Sequence, residues 1–106
     1  MHGGEKMELS ESIKKVCDEI VAKFSPEKVI LFHVKRSLDG EIRSFKLCVI
    51  IETDDKISTE QHLYLDVDSD IPFDLLVYTP AEWDSLLEEK SSFACRIIKE
   101  GLYIHG

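Results

Sequence analysis

Three groups of side chains have types and spacing that could do chemistry: Asp66-x-Asp68-x-Asp70, the pair His33 and Lys35, and the cysteines Cys17, Cys48 and Cys95. Carboxylates at two-residue steps open a calcium loop, in which oxygen ligands surround a hard cation. Such a loop takes Gly at its sixth position and Glu at its twelfth, and these are Ile71 and Val77 here, so a solvated acidic loop is expected. His33 could act as a general base, but no nucleophile or orienting acid stands beside it in sequence. A strand-end histidine with a hydrogen-bonded ring is the simpler reading. Lys35 and Arg36 could attract a phosphate, but a solvated basic turn is the favoured reading. The cysteines lie far apart inside apolar patterns, with no Cys-x-x-Cys and no paired histidines. That implies buried free thiols, no metal site and a reducing, cytoplasmic setting. Cys48 has no helix N-terminus or partner to activate it, so an inert thiol is expected there. Trp83 could stack on a base, but its helical spacing marks it as packing.

The whole chain bounds these possibilities. Its 106 residues correspond to one domain, expected over 7–106 behind a flexible N-terminus of residues 1–6. A hydrophobic content of 43% and a charged content of 32% fit an ordinary globule. The net charge of -8 disfavours general nucleic-acid binding and anionic membrane surfaces, both of which need a surplus of Lys and Arg. No apolar run approaches the ~20 residues of a membrane-spanning helix.

The elements that must position these groups follow from periodicity. Leu9, Ile13, Val16, Cys17, Ile20 and Phe24 recur at three- and four-residue steps and predict a helix over 9–24, closed by Ser25-Pro26. Val29–Val34 is an apolar run interrupted by His33 and predicts a central strand over 28–35, covered on both faces. Asp39-Gly40 predicts a hairpin turn. In the next strand, 42–52, Phe45, Leu47, Val49 and Ile51 should face the helix-covered core, with Ser44, Lys46, Cys48 and Ile50 opposite. Segment 56–70 is ambiguous. Ser58 or Thr59 could cap a short helix, or Tyr64, Leu65 and Val67 could form a strand. A strand over 71–78 follows, with Phe73, Leu75 and Val77 on one face. Thr79-Pro80-Ala81-Glu82 is a capping box that starts a helix over 80–89 with Trp83, Leu86 and Leu87 inward. Ser91 or Ser92 opens another over 92–100, which Gly101 should stop in the left-handed conformation. Leu102-Tyr103-Ile104 could add an edge strand. The fold class is α/β, a small mixed β-sheet backed by helices.

Val29-Ile30-Leu31-Phe32, a polar turn, Ser44-Phe45-Lys46-Leu47-Cys48-Val49, Pro72-Phe73-Asp74-Leu75-Leu76-Val77 and Ile97-Ile98-Lys99-Glu100-Gly101-Leu102-Tyr103 together resemble the polymerase-beta-like nucleotidyltransferases. The likeness is to their minimal, single-domain type, and it implies a nucleotidyltransferase-like palm. In that family a Gly-Ser turn receives the phosphates, and an Asp-x-Asp pair with a third acid holds divalent metals that clamp the triphosphate. The corresponding positions are His33 and Val34 for the turn, Ser44 and Lys46 for the pair, and Asp74 for the third acid. Only the last carries the chemistry. Lys46 would repel Mg²⁺ rather than bind it.

The resemblance therefore implies a degenerate, catalytically inactive domain acting through protein–protein contacts, with no catalytic residue and no cofactor expected. Minimal nucleotidyltransferases pair with small helical HEPN-domain proteins as toxin and antitoxin. A HEPN-like helical partner or a homo-oligomer is the corresponding expectation. The alternative is an active or nucleotide-binding enzyme with a rearranged Mg site, using Asp74 with Asp39, Glu41 or Asp70. Lys46 could also have taken the metal's structural place by pairing with Asp74, or could extend into solvent instead.

Overall fold

The computed structural model describes residues 10–106, so the expectation of a flexible segment over 1–6 lies outside the described residues. Helix α1 spans Glu11–Phe24, and the Ser10 hydroxyl caps it by accepting from the Ile13 N–H at 3.2 Å. Ser25 ends it in the left-handed conformation (φ 51°), donating its N–H to the Val21 carbonyl. Strands β1 (Lys28–Arg36) and β2 (Ile42–Ile50) form an antiparallel hairpin whose turn places Gly40 at φ 90°. Glycine meets no steric penalty there. The Arg36 guanidinium donates to the Gly40 carbonyl at 3.2 Å and ties the turn to the strand behind it.

Segment 56–70 resolves as a helix. Helix α2 spans Lys56–Asp66, capped by Asp55 rather than by Ser58 or Thr59, with the Asp55 carboxylate accepting from the Ser58 N–H at 3.0 Å. The reason for a helix is topological. Strand β3 (Phe73–Tyr78) runs parallel to β2, and a parallel neighbour needs a crossover of a dozen or more residues. A third strand between them would leave that crossover unmade. Helix α2 buries Leu63 and, just past its end, Val67 against the sheet.

Helices α3 (Pro80–Leu87) and α4 (Phe93–Glu100) follow, and strand β4 (Leu102–His105) closes the sheet in the order β3-β2-β1-β4. The architecture is α/β: a four-stranded mixed sheet with helices on both faces. Gly101 does not stop α4 in the left-handed region, because its backbone is extended (φ -93°, ψ 176°). Glycine is required there for space. A Cβ would lie 2.6 Å from the Ile97 carbonyl oxygen and 2.8 Å from that of Leu31, so the chain can turn from α4 into β4 only without a side chain.

The sheet separates two apolar cores. On one face Val29, Leu31, Phe45, Leu47, Val49, Leu75 and Val77 pack against α1 and α2. On the other, Ile30, Phe32, Cys48 and Ile50 pack against Trp83 of α3 and Ala94 and Ile97 of α4. The alternation expected for β2 and β3 holds residue by residue. Among the described residues no helix is long and apolar enough to cross a membrane.

Candidate functional site

The second face is covered only in part. Helices α3 and α4 lie over the apolar half of β2, while the half that begins with Ser44 and Lys46 opens into a cleft of about 290 Å³. Phe32, Lys46, Tyr64, Asp74, Leu75, Leu76 and Phe93 line it. Strand pairing makes this cleft. Lys46 stands directly opposite Phe32 on β1 and opposite Asp74 on β3. Opposed residues of neighbouring strands project to the same side, so the ammonium and the carboxylate share one wall. Ser44, two residues before Lys46, lies on the same face and pairs with Lys35.

Lys46 and Asp74 do not form an ion pair. Among the described residues the ion pairs are Lys23–Glu19 at 3.2 Å and Lys56–Glu82 at 2.9 Å. Asp74 is exposed and Lys46 half-buried, so both remain in contact with water and little drives them together. Of the two arrangements considered for Lys46, the ion pair with Asp74 is not formed.

The turn positions are split. His33 is exposed and takes a left-handed backbone (φ 55°), while the register between β1 and β2 shifts between Phe32 and Lys35. The irregularity changes the phase of the strand: Phe32 belongs to the second core, and Val34 packs against the first. Neither His33 nor Val34 lines the cleft. The His33 ring stands edge-on to Phe32, with ring centroids 6.3 Å apart.

Tyr64, like Phe93, is a cleft residue that sequence reasoning missed. Its hydroxyl accepts the Leu75 N–H at 2.8 Å, and its ring lies 5.7 Å from that of Phe73. It thereby covers part of the outer edge of β3, the unpaired side of the sheet. Partial burial raises the Tyr64 phenol above its ordinary range, opposed by the Leu75 hydrogen bond, with Asp74 and Glu60 adding to the rise. The phenol therefore stays protonated at neutral pH. Only the helical state of α2 places it here, and that state could not be read locally. Phe93 forms the opposite lip, edge-on to Phe32 at 6.1 Å.

The other candidates do not gather into a site. Among the described residues no three His, Cys, Asp or Glu side chains come together in a way that could hold a metal ion. Asp66, Asp68 and Asp70 do not converge, nor do Asp39, Glu41 or Asp70 join Asp74. A divalent metal of the kind the resemblance implies does not fit the donor set, which offers one carboxylate beside one ammonium. Trp83 is 1% exposed inside the second core and presents no face to a ligand. Burial pushes the Cys48 thiol up to about 12, which removes it as a nucleophile at neutral pH.

Compared with known proteins, the chain matches no family model, no curated protein and no solved structure.

Proposed function

We propose that this chain is a nucleotidyltransferase-like domain that has lost catalysis and acts through protein contacts. One observation carries the reading: Lys46 stands opposite Asp74, where the resemblance calls for converging carboxylates. Two unit charges of like sign at a few Å repel, so an ammonium in that wall opposes the approach of Mg²⁺. The single remaining acid is exposed, and a hard dication prefers several oxygen ligands. What remains is a shallow cleft with aromatic lips at Tyr64 and Phe93, suited to contact rather than to phosphoryl-type transfer. Pairing with a HEPN-like helical protein, in a toxin–antitoxin arrangement within the cytoplasm, extends this reading from the resemblance alone.

The test is thermal unfolding with each common nucleoside triphosphate, with Mg²⁺ or Mn²⁺. A ligand at a hundred times its Kd adds about 2.7 kcal/mol, a shift on the order of ten degrees for a domain of this size. No shift is expected with any of them. A metal-dependent shift removed by Asp74→Asn overturns the proposal in favour of a nucleotide-binding enzyme.

A further inference from the structure

Helix α2 is amphipathic twice. Its inner side buries Leu63, and its outer side carries Ile57, Gln61, Tyr64 and Leu65, at steps of four, seven and eight residues. That spacing is the one by which a helix presents an apolar stripe to a neighbour. Here the stripe faces solvent: Ile57 is 73% exposed, Leu65 78% and Tyr64 41%. From Ile57 to Leu65 it runs about 12 Å at 1.5 Å per residue, two turns of helix.

The surroundings of the stripe are acidic. Asp54 precedes α2, Glu60 lies within it and Asp68 follows, while the Asp55 carboxylate caps the helix and Asp66 and Asp70 lie towards α1, where Lys23 donates to the Asp66 carbonyl at 2.6 Å. Between 54 and 70 the only lysine or arginine is Lys56, and it is engaged with Glu82 at 2.9 Å. Among the described residues neither ion pair uses Asp54, Glu60 or Asp68. We propose that the outer face of α2 docks a basic amphipathic helix of another protein, its apolar side on Ile57, Tyr64 and Leu65 and its Lys or Arg residues against the acidic rim. The proposal rests on the protein-contact reading and names the surface and the partner's chemistry.

Charge selects this occupant over others. A second copy brings a net charge of -8 and the same acidic rim, so like charges would face each other across the contact. An anionic membrane and a nucleic acid are repelled for the same reason. A straight stripe of two turns matches the ridge of one helix packed against another.

The probe is a synthetic eighteen-residue peptide, about five turns long, with leucines on one helical face and lysines on the other. Fluorescence anisotropy reads its binding to the full chain. Controls are a scrambled peptide of equal composition and a version with Glu in place of Lys. Binding of the amphipathic lysine peptide is expected to weaken at least tenfold in Ile57→Gln/Leu65→Gln, and several-fold on raising salt beyond the screening range. Glutamine keeps helix propensity, and circular dichroism checks that the variant folds. Equal binding of the scrambled peptide, or equal binding by the variant, overturns the proposal. So does concentration-dependent self-association that the variant abolishes, which would make a second copy the occupant. Loss of binding in Lys46→Ala instead moves the contact to the cleft, sinking this surface while sparing the contact reading. A nucleotide-dependent thermal shift sinks that reading whatever the peptide does.

Discussion

His33 holds a backbone conformation that its own side chain disfavours. At φ 55° an L-residue meets its carbonyl, at a cost of roughly 1–2 kcal/mol that glycine avoids. A bend of the kind that glycine takes freely therefore carries an imidazole here. The ring is exposed and stands edge-on to Phe32 at 6.3 Å, a contact that offsets little of this cost. Replacing His33 by Gly removes the steric conflict but loosens the unfolded chain by about 0.4–1 kcal/mol. His33→Gly is therefore expected to be neutral or stabilising by up to about 1 kcal/mol. His33→Val, β-branched and least tolerant of positive φ, should cost about 1–2 kcal/mol. Urea midpoints of the two variants at unchanged m-value measure both. A His33→Gly variant less stable than the parent by more than about 1 kcal/mol would mean that the imidazole makes a contact of its own.

Among the elements, those legible in the sequence are the ones whose cause is local. Thr79-Pro80-Ala81-Glu82 folds as a reciprocal box: the Thr79 hydroxyl accepts the Glu82 N–H at 3.2 Å, and the Glu82 carboxylate accepts the Thr79 N–H at 3.0 Å. The second of these bonds, with Lys56 after it, holds the Glu82 carboxyl below the ordinary range. Thr79→Ala should cost about 1 kcal/mol, seen as a melting shift with α3 still formed. An unchanged Tm would show that packing of Trp83 alone sets the start of α3. Alternation in β2 and β3 was equally legible, because Phe45, Leu47 and Val49 need only their own spacing to choose a face. Helix α2 was not, because its state is fixed by the parallel pairing of β2 with β3, a relation between distant segments. The role of Tyr64 was hidden with it. Gly101 was legible as necessary but for the wrong reason, since the crowding comes from Leu31, seventy residues earlier in the chain, as well as from Ile97. Of the cleft, Lys46 and Asp74 were legible as strand positions, whereas Ser44, His33 and Val34 do not line it. Its aromatic lips were not legible, because Phe93 and Tyr64 reach it from helices on opposite faces of the sheet.

For the molecule as a whole, each of the two cores encloses one thiol, Cys17 on the inner face of α1 and Cys48 beneath α3 and α4. Burial pushes both up to about 12, with the charge of Asp18 adding to the effect at Cys17. The sign of the consequence follows from proton binding. Between the unfolded thiol value near 8.5 and the folded value, the native state retains a proton that the unfolded state has lost. Stability is therefore fully present below about pH 8.5 and falls as pH rises, by up to about 1.4 kcal/mol per pH unit for each thiol. Tyr64 and Tyr78, also raised by burial, extend the decline above their ordinary range. Growing negative charge on a chain already at -8 acts in the same direction, so the thiols must be separated from it. Urea unfolding from about pH 7 to about pH 10.5, on the parent and on Cys17→Ala/Cys48→Ala, makes that separation. The double variant should start less stable, because alanine leaves cavities in both cores. Its stability should then fall more gently with pH, the difference in slope approaching twice the single-thiol value. Parallel slopes in the two proteins would assign the alkaline loss to net charge and remove the buried thiols from the account.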